Sequence, residues 1–328
     1  MIRSFGIFLL LICMSGGLCH AHILEHEDVM LFLDEMEVNH GFDSAGLREL
    51  FQEVRISKSV LEAISRPAEK LPWYKYRPIF LQQDRVEQGV KFWQRHVNTL
   101  RNAEARFGVP PEIIVAIIGV ETRYGQFSGK YRVIDSLVTL AFQYPKRSAF
   151  FRSELEQYLL LTREQGLDPL AIRGSYAGAM GIPQFISSSY RRYAIDFDND
   201  GYTDIWENPV DAIGSVGNYF KRHGWQAGDS IAIQARVSGH RYKELITKGL
   251  KPNINNKQLG LHNINIRDEL PPDAMVTILD LETKDGSEFW IGMHNFYVIT
   301  RYNHSPLYAM AVYQLADKIR KKFANQGP

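Results

Sequence analysis

The sequence is poor in cysteine and has almost no excess of charge. Its 328 residues contain two cysteines, Cys13 and Cys19, and 38 Lys and Arg against 37 Asp and Glu. A protein that holds DNA or RNA by bulk electrostatics needs a basic excess, so this balance argues against a nucleic-acid partner. With so few cysteines, the fold cannot depend on a framework of disulfides.

Long apolar runs are also missing, and the N-terminus carries only a short one. Arg3 gives this segment a positive start, and small residues lead up to Ala21. The pattern is that of a secretory signal, which is too short to remain as a membrane span. We predict a signal peptide at residues 1–21 that is cleaved after Ala21. The alternative is an outer-membrane lipoprotein acylated at Cys19, which Leu18 disfavours because that processing prefers a small residue before the cysteine.

Motifs for nucleotide, cofactor and zinc binding are absent as well. The stretch from Gly125 to Lys130 has neither the spacing of a P-loop nor a Ser or Thr after the lysine. Gly174 and Ser175 do not complete the G-x-S-x-G turn of serine hydrolases, and the ten histidines show no zinc-binding spacing. We therefore expect no organic cofactor and no zinc site.

The patterning that is present is mostly helical. Asp43 is placed to cap a short helix, and Ser57 to Ser65 is predicted to form another. An apolar stripe from Val86 to Leu100 predicts one long helix. The stretch from Pro72 to Pro78 is predicted to be a loop. From about residue 230 to 292 the pattern changes to strands that include a hairpin, and a final helix follows. The sequence therefore predicts a mainly α protein with a small β-rich insertion.

Residues 196–207 match the EF-hand calcium loop at every specified position. Asn208 and Pro209 are expected to begin a helix, which places Asp211 in its first turn and Glu207 before it. The predicted ligands are Asp196, Asp198, Asp200, the carbonyl of Tyr202, and either Glu207 or, slightly favoured, Asp211. A single loop of this kind predicts a structural Ca²⁺ and argues against a calcium sensor.

One acid lies at the end of a strongly apolar helix. Residues 113–120 are apolar nearly all round, which predicts a buried helix, and Glu121 follows directly. A carboxyl in a low-dielectric site has its neutral form favoured, so Glu121 is a candidate proton donor. The alternative is a structural ion pair with Arg123 or another base.

A second segment, residues 173–185, combines glycines with polar and aromatic side chains. The glycines allow close approach of the backbone, Ser175 and Gln184 supply uncharged hydrogen-bonding groups, and Phe185 supplies a flat surface. This set suits sugar rings, which present polar edges and apolar faces. A glycine cluster that only packs helices would explain the glycines but not Gln184.

Together these motifs resemble the lytic murein transglycosylase B family. The resemblance covers nearly the whole mature chain, with the motifs in the expected order: residues 121–125, 175–185, 196–207, 211–219 and 302–303. It implies a lysozyme-like helical core with an N-terminal helical domain and a small β-rich domain. It also implies a periplasmic enzyme that cleaves the β-1,4 bond between N-acetylmuramic acid and N-acetylglucosamine in peptidoglycan, with formation of 1,6-anhydro-muramyl products.

The resemblance further implies roles for single residues. Glu121 corresponds to the family's single catalytic acid, which acts as acid and then as base, and Ser175 to the residue that hydrogen-bonds this carboxyl. The other substrate-binding positions are amide, aromatic and basic side chains, namely Gln184, Asn303, Tyr76, Phe185, Tyr219, Tyr302, Tyr308, Lys146 and Arg147. The final calcium ligand of the family corresponds to Asp211.

The predicted organisation follows from these assignments. Residues 22–104 form an N-terminal helical domain, 105–229 the catalytic core with the calcium loop, 230–292 the small β-rich domain, and 293–328 the C-terminal helical part of the core. The expected partners are peptidoglycan glycan strands and other cell-wall enzymes, and we expect a monomer. The rival functions are a muramidase that adds water and a non-catalytic peptidoglycan-binding protein.

Overall fold

The computed structural model describes residues 23–66, 71–246, 249–267, 269–271 and 273–326. The predicted signal peptide at residues 1–21 lies outside the described residues. In those ranges the protein has fourteen α-helices and seven short strands, so the prediction of a mainly α fold is confirmed. No helix in the described part of the chain is long and apolar enough to cross a membrane.

The elements follow one another in a long helical stretch, a strand-rich stretch and a closing pair of helices. The α-helices are α1 (Glu27–His40), α2 (Ser44–Gln52), α3 (Lys58–Ile64), α4 (Trp73–Phe80), α5 (Gln83–Arg95), α6 (Val97–Phe107), α7 (Pro111–Thr122), α8 (Val133–Gln143), α9 (Ser148–Gln165), α10 (Ser187–Tyr193), α11 (Pro209–Arg222), α12 (Lys257–Leu261), α13 (His294–Tyr302) and α14 (Pro306–Asn325). The strands are β1 (Tyr131–Arg132), β2 (Arg173–Gly174), β3 (Ala232–Val237), β4 (Ile254–Asn255), β5 (Ile264–Ile266), β6 (Met275–Thr283) and β7 (Gly286–Gly292).

The chain divides into two compact units, and the division falls after Val54. In the first unit, α1 and α2 bury apolar side chains that include Phe32 and Phe51, whose ring centroids lie 6.3 Å apart. Asp43 caps α2 as predicted, because its carboxylate accepts a hydrogen bond from the N–H of Gly46 at 2.7 Å. The finer domain division predicted from the sequence stays a proposal.

α7 is the central helix of the second unit. Every residue from Ile113 to Gly119 is buried, as the all-round apolar pattern predicts. Helices α5, α6, α11 and α14 pack around it. Because neighbours cover α7 on several sides, packing fixes the position of its last turn, which carries Glu121.

Two predictions for the helices before α7 are wrong. The stretch predicted to be a loop forms α4, in which Pro72 is the N-cap and Trp73 and Tyr76 are buried. Proline is compatible with the start of a helix, so Pro72 precedes α4 without preventing it. The predicted single long helix is two helices, α5 and α6, with a break at His96, whose ring centroid lies 4.6 Å from that of Phe92. Neither glycine nor proline marks this break.

The β-rich insertion is a five-stranded antiparallel sheet with the strand order β4-β6-β7-β3-β5. β6 and β7 form the predicted hairpin, with Thr283 paired to Gly286. The sheet buries an apolar cluster that includes Ile233, Ile278 and Ile291. A separate pair, β1 and β2, joins the loop after α7 to the segment that precedes Ser175.

Candidate active site

Glu121 lies in the last turn of α7, and the helix ends immediately after it. Arg123 and Tyr124 both have left-handed backbone conformations, with φ of 53° and 64°. Such conformations are strained for residues other than glycine, and surrounding contacts must hold them. Tyr124 supplies one, because its hydroxyl donates to the carbonyl of Arg85 at 2.8 Å while its ring lies against Gly119.

A tyrosine from the last helix contacts the Glu121 carboxyl. The hydroxyl of Tyr308, in α14, donates a hydrogen bond to Oε1 of Glu121 at 2.5 Å. Burial and the neighbouring Glu121 carboxyl raise the pKa of Tyr308, and the same two causes raise the pKa of Tyr302. Both phenols therefore stay protonated, and Tyr308 remains a donor to Glu121.

Arg123, the partner that the sequence left open for Glu121, pairs with a different acid. Its guanidinium forms an ion pair with the carboxylate of Asp84 and also contacts Oε1 of Gln82 at 3.4 Å. Glu121 is instead held by a phenol. The charge of Arg123 is thus balanced by Asp84.

The segment from residue 173 to 185 is tied to the end of α7. Oγ1 of Thr122 donates a hydrogen bond to the carbonyl of Ile182 at 2.8 Å. In the loop after α7, a Cβ on Gly129 would lie 2.0 Å from the carbonyl oxygen of Gly174. The glycines in both stretches therefore allow backbone to pack on backbone, and this packing brings the polar side chains of the segment to the end of α7.

Ser175 is the first of these polar side chains. Its hydroxyl oxygen accepts hydrogen bonds from the backbone N–H of Ala177 at 3.2 Å and of Ala179 at 3.0 Å. A hydroxyl has two acceptor sites and one donor, so the proton of Ser175 is left for donation. A donor hydroxyl is what a hydrogen bond to a carboxylate requires.

Gln184 has a strained backbone conformation, with φ of 51°. Its side-chain nitrogen donates to the carbonyls of Ser128 at 2.9 Å and Gly181 at 3.0 Å. Both amide hydrogens are used in this way, and Oε1 is the group left to accept a hydrogen bond. An amide oxygen held so rigidly can accept from the N–H of an acetamido group.

The aromatic residues predicted for the site pack on one another. Phe185, Tyr219 and Tyr302 form a cluster, with ring centroids 4.8 Å, 5.7 Å and 5.9 Å apart. Tyr76, Phe185, Tyr219 and Tyr308 are 1%, 2%, 6% and 3% exposed. Tyr76 also lies close enough to Tyr308 to help raise its pKa. Because protein covers the rings of Tyr76, Phe185, Tyr219 and Tyr308, these four residues offer no open stacking surface.

Asn303 and the basic pair occupy different places. Asn303 is half-buried and follows α13 directly, in the turn that leads into α14. Lys146 and Arg147 lie on an exposed turn between α8 and α9, where the Arg147 guanidinium stands 4.3 Å from the ring centroid of Phe150. The same guanidinium stands 5.1 Å from the ring centroid of Phe151.

Phe127, which the sequence pattern does not single out, lies in the loop between α7 and β1. It is 65% exposed, and its backbone N–H donates to the carbonyl of Thr122 at 2.9 Å. Gly125 and Gly129 flank it, both with positive φ. Two glycines shortly after the helix that carries Glu121 could have been read from the sequence as a sign of a tight loop beside the site.

The calcium loop brings three carboxyl groups together. Oxygens of Asp196, Asp198 and Asp211 all lie within 4.8 Å of one another. Asp211 is fully buried in the first turn of α11, and burial together with the nearby carboxyls of Asp198 and Asp196 raises its pKa. Carboxyl oxygens this close repel one another when ionised unless a cation lies between them, and they are the ligands that Ca²⁺ prefers. The donor set therefore fits a calcium ion.

The start of α11 explains why Asp211, and not Glu207, joins this cluster. Asn208 caps the helix with its side chain, as predicted, so Glu207 lies before the first turn and is exposed. Asp200 and Tyr202 lie on the exposed part of the loop, where the N–H of Tyr202 donates to the Asp200 carboxylate at 2.9 Å.

Comparisons with known proteins agree with this architecture. The family model described as Transglycosylase SLT domain matches residues 25–317. Membrane-bound lytic murein transglycosylase B of Escherichia coli K12 is 43% identical over 298 residues, which cover 88% of this chain and 81% of that protein.

Two solved structures superpose closely on the chain. Soluble lytic transglycosylase SltB1 from Pseudomonas aeruginosa has a TM-score of 0.85 and 49% identity, covering 90% of this chain and 99% of that chain. The Escherichia coli lytic transglycosylase Slt35 in complex with calcium has a TM-score of 0.84 and 42% identity, covering 91% of this chain and 94% of that chain. The likeness confirms the predicted lysozyme-like fold class. Because the family model and these relatives span most of its length, the chain belongs to the lytic murein transglycosylase B family.

Proposed function

We propose that this enzyme cleaves the β-1,4 bond between N-acetylmuramic acid and N-acetylglucosamine in the glycan strands of peptidoglycan. The products end in 1,6-anhydro-muramyl groups, because no water is added. Membership of a lytic transglycosylase family supports the reaction. One observation supports the assignment of Glu121 as the catalytic acid. The Tyr308 hydroxyl donates a hydrogen bond to Glu121 at 2.5 Å, where the buried helix α7 ends.

In the proposed mechanism, Glu121 acts first as an acid and then as a base. Protonated Glu121 gives its proton to the glycosidic oxygen as the bond to the anomeric carbon breaks, and the substrate's 2-acetamido oxygen stabilises that carbon. The resulting carboxylate takes the proton of the C6 hydroxyl, and O6 bonds to C1 to close the anhydro ring. Glu121 ends protonated, as it began. One carboxyl serves both steps, and no second acid is needed to activate water.

The polar groups around Glu121 have separate tasks in this proposal. The Tyr308 hydroxyl fixes the orientation of the carboxyl, and the Ser175 hydroxyl donates a second hydrogen bond to it. Oε1 of Gln184 and the side chain of Asn303 hold acetamido groups of the substrate. The buried aromatic walls limit access of water, which favours attack by the C6 hydroxyl.

Mass spectrometry of the products released from purified sacculi tests this function. We expect soluble muropeptides with anhydro ends, about 18 Da lighter than the products of a hydrolase because no water is incorporated. Products that carry the additional water would identify a muramidase and contradict the proposal. If no soluble product is released, the chain is a non-catalytic peptidoglycan-binding protein.

We also propose that Asp196, Asp198 and Asp211 hold a structural Ca²⁺, with Asp200 and the carbonyl of Tyr202 as further ligands. The ion would relieve the repulsion between the clustered carboxyls and tie the loop to α11. Such a tie is useful in a chain whose two cysteines both fall within the predicted signal peptide. The relative Slt35, whose structure is in complex with calcium, supports this proposal.

Removal of calcium is expected to lower the midpoint of thermal unfolding by about 5–10 °C when the ion had been present at hundreds of times its Kd. Asp211→Asn is expected to abolish most of this shift, because it removes the buried charge from the cluster. Glu207→Gln is the matched control and should keep the full shift, since Glu207 is exposed and lies outside the cluster. An equal response of both variants to added calcium would rule out this ligand set.

The remaining sequence-based assignments stay proposals. We infer export to the periplasm with cleavage of residues 1–21, and lipidation at Cys19 is the less favoured alternative. We also propose that the protein is a monomer and that its partners are glycan strands and other cell-wall enzymes. The domains are assigned to residues 22–104, 105–229, 230–292 and 293–328.

A further inference from the structure

Phe127 is more exposed than any aromatic residue assigned to the site so far, including the half-buried Tyr302. Tyr76, Phe185, Tyr219 and Tyr308 are at most 6% exposed, so protein covers their faces, whereas Phe127 is 65% exposed. A sugar ring presents an apolar face of C–H groups, and only an exposed aromatic face can stack on it. Among these five residues, Phe127 is the one that meets this condition.

The loop that carries Phe127 is held on both sides of the ring. The N–H of Phe127 donates to the carbonyl of Thr122, at the end of α7, at 2.9 Å. The next carbonyl, that of Ser128, accepts from the side-chain nitrogen of Gln184 at 2.9 Å. Gly129 packs against backbone atoms more closely than a Cβ would allow. The ring is therefore presented from a fixed backbone and does not sit on a free loop.

These anchors place Phe127 between two groups of the candidate site. The first anchor, Thr122, directly follows Glu121, and the second is Gln184, whose Oε1 is left to accept a hydrogen bond. A single exposed ring offers much less area than a stable protein interface buries, which is about 1,200 Å² or more. It does match the size of one pyranose ring. The position and size both favour the glycan strand as the occupant.

We propose that Phe127 is a substrate-binding residue whose exposed ring stacks on a pyranose ring of the glycan strand, next to the bond that is cleaved. This inference rests on the proposed function, since it takes peptidoglycan as the substrate. Phe127 and Gln184 contact the same part of the glycan strand. Phe127 stacks on the apolar face of a sugar ring, and Gln184 hydrogen-bonds an acetamido group. Phe127 thereby contributes to strand binding and takes no part in proton transfer.

The test is a series of Phe127 variants assayed with purified glycan strands. Phe127→Ala is expected to raise KM about five- to tenfold and to change kcat by less than about twofold, as is usual when a well-placed aromatic contact is truncated. Phe127→Tyr should restore KM, because it keeps the flat ring. Phe127→Leu should not, because it keeps the apolar volume but has no flat face. Leu261→Ala, at a residue that is 66% exposed on α12, is the control and should leave KM unchanged.

A second measurement separates this inference from the proposed function. In a Glu121→Gln background, the Kd for the same glycan strands should rise by a similar factor when Phe127→Ala is added. The stacking role is refuted if Phe127→Ala leaves both KM and Kd unchanged, or if Phe127→Leu restores them as fully as Phe127→Tyr. If the wild-type enzyme releases no anhydro products, the proposed function fails, and the Kd comparison still decides whether Phe127 binds glycan.

Discussion

Substitution of Glu121 by glutamine is expected to reduce the turnover of peptidoglycan at least about a thousandfold. Glutamine has nearly the same shape, but it can neither protonate the glycosidic oxygen nor accept the proton of the C6 hydroxyl. The Tyr308 hydroxyl can still donate to the amide oxygen, so the variant should keep its geometry and bind glycan strands. Release of anhydro-muropeptides measures the first effect, and co-sedimentation with sacculi measures the second.

Glu112→Gln is the matched control for this substitution. Glu112 lies in the first turn of the same helix, is half-buried, and has a pKa raised by burial. Glu112→Gln should change turnover by less than about twofold, because Glu112 lies at the opposite end of α7 from Glu121. Substantial activity in Glu121→Gln would mean that another residue is the acid. An equal loss in both variants would indicate damage to α7 and would contradict the role given to Glu121.

The second large effect is expected for Gly129→Ala. A Cβ here would lie 2.0 Å from the carbonyl oxygen of Gly174 and 2.6 Å from the nitrogen of Ser175, and φ is +107°. Because both neighbours are backbone atoms, the loop after α7 must move away from the segment that carries Ser175 and Gln184. We expect a loss of about 2–4 kcal/mol in the free energy of unfolding. Turnover should fall about tenfold or more, since small displacements of positioning groups are costly.

Gly166→Ala is the control that separates the two effects expected in Gly129→Ala, the close backbone contact and the strain of a positive φ. Gly166 has φ of +62° at the C-cap of α9, but nothing lies within 4 Å of the position that a methyl group would take, so only the strain of the left-handed conformation applies. This variant should lose about 1 kcal/mol of stability and keep its activity. Chemical denaturation and the sacculus assay measure both variants. Equal losses in the two would show that the contact between Gly129 and Gly174 is not what positions the site.

Features set by a few adjacent residues could be predicted from the sequence. Asn208 was predicted to cap α11, which placed Asp211 in the first turn and Glu207 before it, and the structure has this arrangement. Asp43 caps its helix as its side chain suggested. Capping chemistry acts between atoms that are close in sequence, so local pattern is sufficient evidence for it.

Features set by packing could not be predicted in the same way. Pro72 was a signal for a loop, but burial of Trp73 and Tyr76 stabilises the helix that follows it. The resemblance implied a set of aromatic site residues but not that protein covers Tyr76, Phe185, Tyr219 and Tyr308, because exposure depends on contacts between distant parts of the chain. Phe127 was overlooked for the same reason, since its exposure is visible only once the loop is placed.

The hydrogen bond between Tyr308 and Glu121 joins residues that are 187 positions apart in the chain. α14, the 20-residue helix that supplies Tyr308, also packs along α7. A ribosome makes α14 after the helix that carries Glu121, so the two residues cannot meet until the chain between them has been made. The Glu121 carboxyl therefore gains this hydrogen bond only when α14 has docked on α7. The order of synthesis thus makes completion of the candidate site a late step of folding.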